Sequence, residues 1–160
     1  MTLVSDGVQT PEERLRRLGL ELPYPAPAVA SYVGSVRIDN LLFVSGHGPF
    51  ESGDFAYKGK LGRDLDVPTG QRAAKLVALN MVATLKAAVG ELEQVKQVVK
   101  LLVFVNSVPD FVEQHLVANG ASDLLISIFG PDRGPHARSA IGVATLPFGI
   151  SVEVEGVFAL

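Results

Sequence analysis

Residues 98–106 read VVKLLVFVN. Apart from Lys100, this run is apolar on both faces of a strand and rich in β-branched side chains, the pattern of an internal strand covered on both sides. Downstream, Ser107, Pro109 and Asp110 signal the start of a helix. Ala121, Leu124, Leu125 and Ile128 then give the i, i+3, i+4, i+7 spacing of a buried helical stripe, which ends at the Gly130-Pro131 stop. Upstream, Asp66 or Thr69 caps a helix running to about Gly90, with Ala73, Leu76, Val77, Asn80, Met81, Thr84, Leu85 and Ala88 on one broad face. A covered strand between two amphipathic helices calls for a sheet on which both helices can lie.

The remaining strands sit at the two ends of the chain. SVRI (35–38) and LLFVSG (41–46) flank Asp39-Asn40 and read as a hairpin; ARSAIGVA (137–144) and ISVEVEGVFAL (150–160) read as two more strands. Residues 50–67 are rich in Gly, Asp and Lys, which predicts a long loop with one short strand around Tyr57. The order is β-β-α-β-α-β-β, an α+β domain with two helices packed on one face of a mixed sheet. Ahead of it, TPEERLRRLGLELP carries Thr10 as N-cap, Pro11 at the first helical position, Glu13 closing a capping box, and Gly19 as the stop. YPAPAVASY has proline at alternate positions and predicts an extended surface arm ending near Tyr32. Residues 1–160 thus form one domain, with 1–30 as its N-terminal helix and arm.

Composition excludes several functions. The chain has 160 residues, 48% of them apolar and 19% charged, with a mean hydropathy of +0.30. A surface this poor in charge is often hidden against further copies of the same chain. The net charge of −3, with no tryptophan, leaves no basic stripe with stacking platforms, so nucleic acid is an unfavourable partner. The absence of cysteine excludes disulfides, thiol catalysis and cysteine metal sites. His47, His115 and His136 share no ligand spacing, so no metal site is expected from one chain. MTLVSDGVQT lacks a basic region followed by an apolar run, and no run of 18 apolar residues occurs; a cytoplasmic protein without membrane contact is expected.

Chemistry concentrates near the C-terminus. In GPDRGPHARSAIGV (130–143), two Gly-Pro pairs stiffen the approach to Arg138. A planar guanidinium held in this way suits a carboxylate; the plainer alternative is a solvated residue at a strand start. In VEVE, period two puts Glu153 and Glu155 on one face, roughly 6 to 7 Å apart. That spacing permits acid and base work, and equally an exposed strand face. Gly46, Gly48 and Pro49 in SGHGPF suggest a backbone bend near a ligand, and neither Ser45 nor Ser139 has the G-x-S-x-G context of a hydrolase nucleophile.

The ordered set SYV (31–33), LLFVSGHGP (41–49), VKLLVFVNSVPDF (99–111), Asn119 ahead of ASDLL, HARSAIGVATLP (136–147) and VEVEGVFAL (152–160) resembles the RidA/YjgF reactive intermediate deaminase family, whose members also carry the label L-PSP endoribonuclease. The resemblance implies a chorismate-mutase-like fold, a homotrimeric barrel, and a cleft between subunits. It also implies hydrolysis of enamines and imines such as 2-iminobutanoate and 2-iminopropanoate to 2-oxo acids and ammonia, without cofactor or metal. By the same resemblance Arg138 clamps the substrate carboxylate and Glu153 holds the attacking water, whereas Glu155 is not catalytic. Tyr32, Gly46, Asn119 and Ser139 line the cleft with them.

Departures from the family pattern bear on the substrate. Some thirty residues precede Tyr32, several more separate Phe111 from Asn119, His47 stands where Gln is commoner, and Ala140 stands where many deaminating members have Cys. Two other classes of function remain: a non-catalytic trimer binding small carboxylates, and an endoribonuclease or chorismate-mutase-type isomerase. The isomerase would need a second cation, for which Arg63 and Arg72 are the candidates.

Overall fold

The computed structural model describes residues 9–28 and 30–160; residues 1–8 and Val29 of the arm lie outside the described residues. Helix α1 (Pro11–Arg17) carries the expected capping box: Thr10 Oγ1 accepts from the Glu13 N–H at 3.2 Å, and Glu13 Oε2 from the Thr10 N–H at 2.9 Å. It is fastened to the body of the protein. Leu15 is buried, and Glu12 Oε1 accepts from Lys86 Nζ at 2.9 Å and from the Leu92 N–H at 2.7 Å.

Strands β1 (Ser35–Ile38) and β2 (Leu41–His47) form the expected hairpin, with Asp39 in the left-handed region at φ 52°. The short strand expected around Tyr57 lies earlier. β3 (Phe50–Glu51) and β4 (Asp54–Phe55) pair across Ser52-Gly53, both at positive φ. Tyr57, at φ 53°, breaks the extended backbone. Helix α2 (Val67–Val89) starts where Asp66 accepts from the Thr69 N–H at 2.9 Å and ends at Gly90, φ 81°.

Strand β5 (Gln97–Asn106) is followed by α3 (Gln114–Arg133), β6 (Ala137–Val143) and β7 (Val152–Ala159). The start of α3 corrects the sequence expectation. Pro109 and Asp110 occupy a turn closed by the Phe111 N–H on the Val108 carbonyl at 3.1 Å, and the helix begins after Glu113 with no side-chain cap. Pro-Asp is as good a turn centre as a helix start. At the other end Gly130, at φ 80° and ψ 175°, interrupts the helix as expected; one further turn follows Pro131.

The sheet order is β1-β2-β7-β5-β6. The β5–β6 pair, joined through α3, is parallel and the other pairs are antiparallel, so the sheet is mixed. Leu42, Val44, Leu101, Val103, Val105, Val152, Val154 and Phe158 meet Val77, Met81, Leu85, Ala121, Leu125 and Ile128 in one core. The helices pack closely on one another, since a Cβ at Gly120 would collide with the Gln71 carbonyl. Among the described residues, only this face of β5 is fully covered. On the other face Lys100, Leu102 and Phe104 are half-buried, alongside Val36 (50% exposed), Ile38 (59%), Phe43 (44%) and Ile141 (45%). Among the described residues the expectation of a strand covered on both sides is therefore met fully on one side only, because both helices take that side.

Candidate functional site

Arg138 is the second residue of β6 and lies across from Leu101, so it shares the helix-covered face. There α3 holds its guanidinium. Nη1 donates to Asn119 Oδ1 and Ser122 Oγ, each at 3.0 Å, and Nη2 donates to the His115 carbonyl at 3.1 Å. Among the described residues these bonds take three of the five N–H groups. The Nε–H and one Nη2–H remain as donors for a ligand such as a carboxylate. The arginine is thus fixed, as the stiff loop suggested, but α3 does the fixing.

Ser122 was not singled out from the sequence, nor was the support behind it. Its Oγ lies 2.9 Å from His136 Nε2, and His136 Nδ1 lies 2.7 Å from the Gly134 carbonyl. A carbonyl only accepts, so Nδ1 carries the proton, Nε2 accepts from the Ser122 hydroxyl, and Ser122 keeps a lone pair for Arg138. The available signal was Asn119 and Ser122, two polar residues three apart in an otherwise apolar helical stripe. Ala140 lies on the Arg138 face and packs against the core. Ser139 points the other way, where it accepts from Lys100 Nζ at 3.2 Å.

Glu153 forms the second cluster. It lies across from Phe104, on the open face. Between Val44 and His47 the β2–β7 register shifts by one residue, a bulge that brings the backbone of Gly46 under Glu153. A Cβ at Gly46 would come within 2.9 Å of Glu153 Cδ and closer still to Oε1. Only glycine leaves the carboxylate its place. Burial pushes the Glu153 carboxyl above its ordinary pKa, and repulsion from Glu155 adds to this. Glu155 itself is exposed.

The same bulge turns His47 toward α2. Its Nδ1 lies 2.6 Å from the Ser45 carbonyl and its Nε2 2.8 Å from Thr84 Oγ1, while burial lowers its pKa. Tyr32, 48% exposed, lines a pocket of about 130 Å³ together with Gly46 and arm residues Ala26–Ala28.

The structure therefore brings Arg138 together with Asn119, and Gly46 together with Glu153 and Tyr32, but not the two groups with each other. Arg138 and Glu153 lie on opposite faces of the sheet with β5 between them. Among the described residues neither candidate second cation joins a cluster: Arg63 pairs with Asp64 at 2.8 Å, and Arg72 donates to Thr69 Oγ1 at 2.8 Å. No helix among the described residues is long and apolar enough to cross a membrane.

The YjgF/chorismate mutase-like family, whose description also bears the word endoribonuclease, matches residues 12–157. Protein TCP17 of Trypanosoma cruzi is 50% identical over 146 residues, spanning 91% of this chain and 91% of TCP17. Among solved structures, Atu1372 of Agrobacterium tumefaciens, a protein of unknown function, has a TM-score of 0.87 at 49% identity and covers 94% of this chain and 92% of its own. Escherichia coli TdcF with bound serine has a TM-score of 0.60 at 24% identity, covering 85% and 94%, a likeness of fold alone.

Proposed function

This chain belongs to the YjgF/chorismate mutase-like family, and from that premise we propose that it hydrolyses reactive imines and enamines of the 2-iminobutanoate and 2-iminopropanoate class to 2-oxo acids and ammonia. The observation that carries the reading is the Arg138 fork, held on α3 with two N–H groups left to donate to a small carboxylate. Because Glu153 lies on the opposite sheet face, the site is composite: the Arg138 cluster of one copy faces the Gly46–Glu153 cluster of the next, in a homotrimer.

The chemistry needs few groups. A protonated imine is already electrophilic, so orientation, a water and a base suffice. Arg138 fixes the carboxylate. Water adds to the iminium carbon as Glu153 takes its proton, and the raised pKa of Glu153 makes it the stronger base. The proton then passes to nitrogen, the C–N bond breaks, ammonia leaves, and the hydroxyl proton is lost to give the 2-oxo acid.

The test is release of ammonia and 2-oxo acid from freshly generated 2-iminobutanoate, comparing wild type with Arg138→Ala. A wild-type rate no faster than buffer sinks the enzyme reading. A second reading, a trimer that binds small carboxylates without turnover, is favoured by the same Arg138 geometry, which needs no base, and by the serine bound to the distantly related TdcF. An endoribonuclease fits less well with a net charge of −3.

A further inference from the structure

Resting on the carboxylate-binding site just described, we infer that the pocket under the N-terminal arm receives the side chain of the ligand, and that the preferred substrates are 2-imino acids with bulky apolar side chains.

The pocket adjoins the proposed reacting centre. Gly46, whose backbone lies under the Glu153 carboxylate, is also part of its wall, as is Tyr32. Its size is about 130 Å³; apolar cavities of roughly 150 Å³ take up a benzene-sized group. Its lining is apolar in effect. Ala26, Pro27 and Ala28 close one side, and Phe50 and Phe55 the other, their rings edge to face at 5.3 Å with Phe148 stacked on Phe55 at 4.9 Å.

Most polar groups of the wall, the Tyr32 hydroxyl and Asn80 Oδ1 aside, are already engaged with the protein. Ser45 Oγ donates to the Val33 carbonyl at 2.6 Å. Both nitrogens of His47 are occupied by Ser45 and Thr84. Asn80 Nδ2 donates to the Gly48 and Phe50 carbonyls at 3.3 and 2.9 Å. A ligand group entering here meets mostly carbon surface and gains by leaving water.

The inference also gives α1 and the arm residues up to Ala28 a purpose. Alternate prolines keep the arm extended, and α1, fastened through Glu12 to Lys86 and Leu92, anchors its start. The arm is thereby held over the pocket.

Binding of 2-oxo acids tests this independently of turnover. By calorimetry, phenylpyruvate should bind the wild-type protein at least about tenfold tighter than pyruvate, the usual effect of filling an apolar pocket. Ala28→Trp, which fills the pocket from the arm, should bring that ratio close to one, and Ala26→Trp should do the same from a second point. Equal wild-type affinities, or an unchanged ratio in both folded variants, would overturn the inference. Hydrolysis of 2-iminopropanoate, followed in parallel, tests the enzyme reading alone: a dead enzyme that keeps the affinity ratio removes the catalysis and leaves the pocket.

Discussion

The Glu153 carboxylate occupies the space where a side chain at Gly46 would begin: an added Cβ would stand 2.9 Å from Glu153 Cδ and 3.2 Å from Cγ. The obstructing atoms belong to a flexible side chain, so Gly46→Ala should displace the carboxylate and leave the backbone in place. Stability should fall by no more than about 1 kcal/mol, toward the low end for overpacking. Deamination should drop on the order of 10- to 100-fold, because a general base must lie within hydrogen-bond reach of its proton. Thermal melts and initial rates on the same preparation separate the two effects, and a fully active Gly46→Ala would mean that the Glu153 position does not matter.

Arg138→Lys keeps the charge and loses the geometry. One ammonium cannot satisfy Asn119, Ser122 and the His115 carbonyl while presenting a second pair of donors to a ligand. Pyruvate affinity should fall about 10- to 100-fold, the loss of one charge-assisted hydrogen bond at roughly 1.5 to 3 kcal/mol. Unchanged affinity by calorimetry would return Arg138 to the role of a structural tie between β6 and α3.

The elements that could be read from the sequence are those in which local and tertiary demands agree. Helix α2 has its Asp66 cap, its apolar stripe and its Gly90 stop, and all three are used. The start of α3 was missed because Pro109-Asp110 serves a turn as readily as a helix. Arg138, Asn119, Gly46 and Glu153 were legible as residue types in a family pattern, yet nothing along the chain says that Arg138 and Glu153 point to opposite sheet faces. That follows from the parallel β5–β6 register against the antiparallel β5–β7 one. Period two assigns faces within a strand; only pairing relates one strand to another.

Burial holds His47 below its ordinary pKa, against the opposing pull of the Ser45 carbonyl. With the folded value below the unfolded one, the neutral ring is favoured by folding. Its contribution is present above the unfolded value and is lost as pH falls through the lowered folded value. Melts at about pH 7.5 and about pH 5 should therefore show a smaller acid loss of Tm in His47→Gln than in wild type, this being the range where histidine titrates. An identical acid loss in both proteins would show that His47 does not couple to folding.

The open sheet face should be where copies meet. Val36, Ile38, Phe43 and Ile141 are between 44% and 59% exposed on it, and exposed apolar side chains gathered on one face mark a surface for protein contacts. Sedimentation at micromolar concentration should report three copies of the 17.0 kDa chain. Phe43→Asp, which places a charge on that face, should shift the population to monomer and abolish deamination together with assembly. A wild-type monomer that deaminates would sink the composite site.

Glu153→Gln separates a catalyst from a binder. The amide keeps the size of the side chain and one acceptor oxygen, so pyruvate should still bind through Arg138, slightly better once a carboxylate near the ligand charge is gone. It cannot take a proton from water, and loss of a general base commonly lowers the rate by roughly 10²- to 10⁴-fold. Glu155→Gln, an exposed position on the same face, should change the rate only several-fold. Stability supplies an independent check. Because burial raises the folded pKa of Glu153, folding favours its protonated form, and the stability linked to it is present below the unfolded value and lost as pH rises through the folded one. Near neutral pH, Glu153→Gln should then melt at a higher temperature than wild type, with the difference vanishing below the ordinary glutamate range. A variant that is no more stable at neutral pH and deaminates at the wild-type rate would show that Glu153 is neither strained by its burial nor the base.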